Sequence, residues 1–231
     1  MTIPVIYEDE VFLAVNKPPA VVVNRAQSVK EETIQDWMEQ RCDLARFSNE
    51  EFVLRSGVVH RIDKETSGIL LIAKIPEAFF ALKQQFMDRT IQKTYIAIIH
   101  EHMPAKEGEI NAPVGRLPWN KEQFGVVPGG KESVTHYKVV ETFKNYQLLE
   151  CYPKTGRTHQ IRVHLKYFNR PILGDYLYAG RKTARDERKW VPRVMLHAAK
   201  IVFHHPKTRK SIALEAPIPQ DMQTVIEKIK P

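Results

Sequence analysis

A run of five apolar residues, Ile69-Leu70-Leu71-Ile72-Ala73, follows at once on the densest polar cluster of the chain, His60-Arg61-Ile62-Asp63-Lys64-Glu65-Thr66-Ser67-Gly68. An uninterrupted apolar run of this length suits a strand buried on both faces. The cluster therefore sits on the doorstep of the core, in a loop whose side chains a rigid scaffold can hold in place. Arg61 and Asp63 are two residues apart, so in an extended segment they project from the same side. A solvated charged turn is the plain alternative for any one cluster of this kind.

The rest of the chain reads more readily as strands than as helices. Ile3 to Tyr7 and Val11 to Asn16 look like strands turned at Glu8-Asp9-Glu10, and Pro18-Pro19 forces an extended exit. Thr33, with Asp36 three residues on, has the form of a capping box ahead of Ile34, Trp37, Met38 and Cys42 at helical spacing. Pro76 suits a first helical turn, with Phe79, Leu82 and Phe86 on one face. From Thr90 to His100 the pattern is that of a strand, with Tyr95, Ala97 and Ile99 on one side and Ile96 and Ile98 on the other. Residues 101–131, with Pro104, Pro113, Pro118, Pro128 and Gly129-Gly130, read as loops joining short strands. Val134 to Thr142 and Tyr146 to Tyr152 are β-rich, and Thr158 is placed to cap a helix that turns Ile161, Leu165 and Phe168 inward. Lys200 to His204 and Ser211 to Glu215 look like strands, and Met222, Val225, Ile226 and Ile229 form the stripe of a terminal helix. Strands outnumber helices and mostly follow one another directly, which predicts an α+β fold with a largely antiparallel sheet. The 231 residues make one large domain or two small ones.

A second polar cluster runs from Lys154 to Arg162. It gathers Arg157, Thr158, His159 and Arg162 at a predicted helix N-terminus, where free backbone N–H groups favour a phosphate or a carboxylate. A capped amphipathic helix with exposed arginines is the alternative. His159 and His164, five apart, diverge around a helix and make poor joint metal ligands. By spacing alone Tyr95 reads as core or sheet surface before it reads as a base-stacking platform. Arg181, Lys182, Arg185, Arg188, Lys189 and Arg193 fit either a solvated helix face or a track for a phosphate backbone.

The 35 Lys and Arg against 27 Asp and Glu give a net charge of +8, which favours an anionic partner, nucleic acid first and membrane surface second. No apolar run approaches the roughly 20 residues of a membrane span, and the N-terminus lacks the form of a secretory signal. Without an export signal, Cys42 and Cys151 are expected as free thiols. There is no CxxC, no HExxH and no glycine-rich phosphate loop. These features together predict a cytoplasmic protein that needs no metal or nucleotide cofactor.

Several segments resemble one family in sequence and in order. HRIDKETSGILLIAK (His60 to Lys74) is similar to the active-site motif of the RluA-type pseudouridine synthases. YEDEVFLAVNKPPAVVV (Tyr7 to Val23) resembles the opening of that catalytic domain, QQFMDRTIQKTYIAII (Gln84 to Ile99) its tyrosine motif and YPKTGRTHQIRVHL (Tyr152 to Leu165) its arginine motif. PILGDYLY (Pro171 to Tyr178) and MLHAAKIVFHHP (Met195 to Pro206) resemble two further family segments. Ile62 and Ile69 stand where leucine is usual, a nearly volume-neutral change. Asn24 and Asn169 depart from the pattern in loops and bear on substrate choice more than on chemistry.

The resemblance implies the pseudouridine synthase fold: a mixed, mainly antiparallel sheet in two subdomains, with flanking helices and a central RNA-binding cleft. Residues 1–231 are then expected to form a single catalytic domain without the small S4-like N-terminal domain of many relatives. Recognition would fall to that domain and to loops such as 101–131 and 179–193. The implied reaction converts uridine to pseudouridine in structured RNA, a ribosomal or transfer RNA stem-loop, without a cofactor. Asp63 is expected to be catalytic, Tyr95 to stack on the target uracil, and Arg162 to pair with Asp63. Arg61 would enter the RNA where the base is flipped out, and His60, Thr66, Arg157, His159 and Gln160 are further expected substrate contacts. The protein is expected to act as a monomer on RNA, not on DNA or a membrane. The alternative is an RNA-binding protein or folding chaperone without catalysis, against which the presence of Asp63, Tyr95 and Arg162 argues. A metal-dependent hydrolase built on His197, His204 and His205 lacks a supporting carboxylate pattern.

Overall fold

The computed structural model describes residues 1–230, and the apolar run at 69–73 is buried along its whole length. In chain order the elements are β1 (Val5–Glu8), β2 (Phe12–Lys17), α1 (Ile34–Arg41), α2 (Glu50–Leu54), β3 (Ser67–Ala73), α3 (Pro76–Met87), β4 (Gln92–His100), β5 (Glu107–Asn111), β6 (Val114–Leu117), β7 (Asn120–Val126), β8 (Val134–Thr142) and β9 (Tyr146–Pro153). After these come α4 (Gln160–Tyr167), α5 (Arg181–Glu187), β10 (Leu196–His204), β11 (Ser211–Glu215) and α6 (Gln220–Ile229). The fold is α+β and mainly antiparallel, as expected. The chain divides into two compact units, residues 1–92 with 198–217, and residues 93–197 with 218–231.

In the first unit the strand order is β1-β2-β3-β10, with β11 on β10. β2 and β3 run antiparallel, with Phe12 opposite Ala73 and Lys17 opposite Gly68. Helices α1, α2 and α3 contribute Ile34, Trp37, Met38, Phe52, Ala78, Phe79 and Leu82 to the same core as Phe12–Val15 and Ile69–Ala73. Phe52 meets Phe47 and Phe79 edge-on, at centroid distances of 5.3 and 5.8 Å. Burial of each such side chain contributes about 1.5–3 kcal/mol. Both halves of the capping box form: Thr33 N–H donates to Asp36 Oδ2 at 2.8 Å, and Asp36 N–H to Thr33 Oγ1 at 3.3 Å. Helix α2 was not foreseen, because a five-residue helix capped by Asn49 is too short to show a period. Gly68 has φ +113°, and a Cβ there would lie 2.3 Å from the Ala198 carbonyl oxygen, so glycine lets β10 close on β3.

In the second unit β4-β9-β8-β5 is an antiparallel series, with Tyr95 opposite Cys151 and His100 opposite Tyr146. Residues 101–131 hold three short strands, β5, β6 and β7, the last two forming a separate hairpin. Burial pushes the Cys151 thiol up to about 12, and both cysteines are free. Arg193 fits neither reading of the basic run, solvated helix face or phosphate track. It is buried and forks onto Asp221 of α6, at 2.6 and 3.1 Å. No helix among the described residues is long and apolar enough to cross a membrane.

Candidate active site

The Asp63 loop is laid alongside β3 before it turns into it. After α2 the chain reverses at Ser56 and Gly57, both at positive φ. Gly57 is required there, since a Cβ would sit 2.0 Å from the Ala73 carbonyl oxygen, and Ala73 N–H donates to the Gly57 carbonyl at 2.8 Å. Val58 then bridges to Ile72. His60 Nε2 accepts the Leu71 N–H at 2.9 Å while its ring stacks on Phe86 at 4.4 Å. His60, expected to contact substrate, is thus a brace between the loop and the core. Ile62 is buried, which leaves Arg61 exposed and Asp63 half-buried on the other side of the extended segment. Thr66 is buried and its N–H closes the turn on the Asp63 carbonyl at 3.1 Å.

Sequence reasoning gave Lys17 no role, yet it is wholly buried and holds this turn from beneath. Its Nζ donates to the carbonyls of Pro18, Val21 and Lys64, at 2.8, 2.9 and 3.0 Å. A buried ammonium needs such acceptors. Three backbone oxygens, one of them next to Asp63, are therefore tied to one point at the end of β2.

In the second unit the loop after β9 is tied by Gln160. Its Oε1 accepts from Thr155 Oγ1 at 2.7 Å and from Arg157 N–H at 2.9 Å. Its Nε2 donates to the Val134 carbonyl at 3.1 Å and to Thr135 Oγ1 at 3.0 Å. The amide is fully engaged and buried, so Gln160 shapes the loop in place of the substrate contact expected of it. Thr158 is not the helix cap. His159 takes that position at φ +55° with no capping side chain, and the Gln160 amide accepts the Arg157 N–H instead. The His159 Nδ1 lies 3.0 Å from the Tyr178 hydroxyl, and Arg157 Nε donates to the Glu132 carbonyl at 3.3 Å. Tyr95 is half-buried on β4.

Arg162, in the first turn of α4, forks onto Asp175 through Nε and one Nη, at 2.8 and 2.9 Å, and its guanidinium lies 5.1 Å from the Tyr178 ring centroid. Both members of the pair are buried. Sequence reasoning missed Asp175, although a lone acid in Ile172-Leu173-Gly174-Asp175-Tyr176-Leu177 is itself a signal that a buried cation lies nearby. The expected residues thus fall into two groups. His60, Arg61, Asp63 and Thr66 share a loop of the first unit. Arg157, His159, Gln160 and Arg162 share a loop and helix of the second, which also holds Tyr95.

Of the histidines offered as metal ligands, His205 is otherwise occupied. His205 Nδ1 accepts the Lys207 and Thr208 N–H groups, both at 3.0 Å, and Nε2 lies 2.7 Å from Asp9. His164, buried, bonds Thr135 and the Ala112 carbonyl, and burial holds its pKa below the usual value. Among the described residues no three His, Cys, Asp or Glu side chains gather as a metal site.

The sequence profile of RNA pseudouridylate synthase matches residues 11–167. The chain belongs to that family. Membership makes it an RNA pseudouridine synthase, an isomerase. It is 39% identical over its full length to an uncharacterized RNA pseudouridine synthase of Bacillus subtilis (strain 168), covering 74% of that protein. It is 38% identical to ribosomal large subunit pseudouridine synthase D of Zymomonas mobilis, over 97% of this chain and 72% of the relative. In fold the synthase is similar to human RNA Pseudouridylate Synthase Domain Containing 4, with a TM-score of 0.76 at 21% identity, over 98% of this chain and 92% of that one.

Proposed function

We propose that the synthase converts particular uridines of structured RNA to pseudouridine, with Asp63 as its catalytic group. The observation that carries this reading is the family match, whose span takes in Asp63, Tyr95 and Arg162 together. The reaction breaks the glycosidic bond, turns the uracil and rejoins it through C5, with the C5 hydrogen leaving as a proton. It is redox-neutral and needs only a carboxylate that attacks the sugar or removes a proton from it. Asp63 supplies that carboxylate from a turn braced by Lys17 and by the Asp63–Thr66 hydrogen bond.

A uracil inside a helix is out of reach, so it is flipped out, and stacking on Tyr95 offsets part of the unstacking cost. Arg61 enters the gap that the base leaves. The fork onto Asp175 fixes the Arg162 guanidinium, and the arginine motif it belongs to gives it the role of orienting Asp63. The +8 charge supplies sequence-independent affinity for phosphates. The protein acts as a monomer in the cytoplasm, and large-subunit ribosomal RNA is the first substrate to test, ahead of transfer RNA.

The test is release of tritium from RNA labelled at uracil C5. Wild-type protein should release label from unmodified 23S ribosomal RNA, and Asp63→Asn should bind the RNA and release none. No release by wild-type protein from either ribosomal or transfer RNA would overturn the reading.

A further inference from the structure

Lys93 stands two residues before Tyr95 on β4, so the two side chains leave the same face of the strand about 7 Å apart. It is half-buried and has no ion-pair partner among the described residues. Its one hydrogen-bond acceptor there is the Thr155 carbonyl, at 3.5 Å. An ammonium has three N–H donors, and this contact is at the outer limit for even one. Burial alone pushes the amine down to about 8, as befits a cation with no counter-charge beside it.

Beside the ammonium the loop leaves room at one residue. Residue 156, next after its acceptor, is glycine. A Cβ built there would meet nothing within 4 Å except Lys93 Nζ, at 4.0 Å. The loop around this space is not slack, because Thr155 Oγ1 bonds Gln160 and accepts the Val134 N–H, and Gln160 also holds Arg157. A fixed loop, an uncompensated cation and an unfilled volume beside Gly156 together make a preformed seat for an anion. We propose that Lys93 and the space over Gly156 form a subsite for a backbone phosphate of the RNA, flanking the nucleotide whose base stacks on Tyr95. The phosphodiester is the anion that RNA brings, and lysine binds it as a point charge. The subsite rests on the RNA reading above. It deepens that reading by giving the target nucleotide a second point of attachment in the same unit as Tyr95.

The experiment uses unmodified 23S ribosomal RNA labelled with tritium at uracil C5, with Kd from filter binding across a salt series and KM and kcat from tritium release. Lys93→Met should raise Kd and KM about tenfold, keep kcat within about twofold of wild type, and lower the slope of log Kd against log salt by about one phosphate contact. Lys93→Arg, which keeps the charge, should restore most of the affinity. Gly156→Asp puts a carboxylate where the phosphate would sit, leaves Lys93 in place, and should raise KM as Lys93→Met does; it decides the matter if Lys93→Met fails to fold. An unchanged salt slope in the folded variants, or a loss confined to kcat, overturns the subsite. Failure of wild-type protein to release label sinks the substrate reading alone, since the salt slope is read from binding.

Discussion

Around Asp63 the protein is fixed through its backbone. Lys17 grips three carbonyl oxygens, His60 accepts a strand N–H, and Gly57 lets the chain lie against Ala73. Around Arg162 the fixing runs through side chains: a bidentate fork to Asp175 and an amide knot at Gln160. The difference matches what each region has to present. A carboxylate held by its own main chain stays half-exposed and open to a substrate, whereas a guanidinium held by a buried acid is locked in angle before any substrate arrives. Replacing Asp63 should therefore act on chemistry alone, whereas removing Asp175 should act on chemistry and stability together.

The largest effect expected is on activity. Asp63→Asn should cut tritium release by at least about 1000-fold with the melting temperature unchanged, since asparagine keeps the size of the side chain and the turn itself is held by Lys17 and by the Thr66 N–H. A fall in melting temperature alongside the loss would break the contrast. Asp175→Ala should cost about 3–5 kcal/mol of stability, measured by urea unfolding, because it leaves a buried guanidinium without its partner. It should lose activity as well.

The Lys17 brace sharpens the same contrast from the other side. Lys17→Met removes a donor from three carbonyls and should cost roughly 1–3 kcal/mol. Its kcat should fall with KM nearly unchanged, because the turn loosens without losing a substrate contact. A rise in KM alone would place Lys17 with binding instead of support.

Much of this was legible beforehand, and the exceptions have physical causes. The buried strand at 69–73, the alternation along β4 and the capping box at Thr33 and Asp36 are local patterns, visible within a few residues. Helix α5 shows no apolar stripe, since only Ala184 and Glu187 turn inward. The cap at Thr158 failed because the helix begins one residue later, at Gln160 after His159 in the left-handed region, and the Gln160 amide ties the loop before it through the Arg157 N–H. Asp175 escaped notice because its partner Arg162 lies 13 residues away, and Lys17 because its acceptors are backbone carbonyls, which leave no mark in the sequence, one of them 47 residues on at Lys64. The role of Tyr95 came from family resemblance, as its spacing alone reads as core.

The smallest effect expected lies outside both regions, at the β1–β2 turn. Burial by itself raises the Asp9 carboxyl. The N–H groups of Phe12 and Val11, the His205 ring and the Tyr7 hydroxyl outweigh that and hold it below its ordinary value. A lowered folded pKa gives stability that is present above the unfolded carboxylate value, near about 4, and lost as pH falls through the folded one. Asp9→Asn should therefore be less stable than wild type at neutral pH, with a gap that narrows toward acid. A gap that held constant with pH would mean that the Asp9 charge contributes nothing to the turn.

The first unit is not one stretch of chain, since residues 198–217 supply the strand beside β3 and the one beyond it. Asp63 is synthesised early, yet its half stays unfinished until residue 217 has left the ribosome. Throughout the synthesis of the 93–197 segment, the start of β3 around Gly68 waits for β10, and an open stretch of strand edge invites pairing with a stranger. The close approach at Gly68 that completes the fold thus also sets a window of exposure during translation, and a ribosome that stalls inside it would hold a nascent chain carrying the catalytic loop beside an open seam.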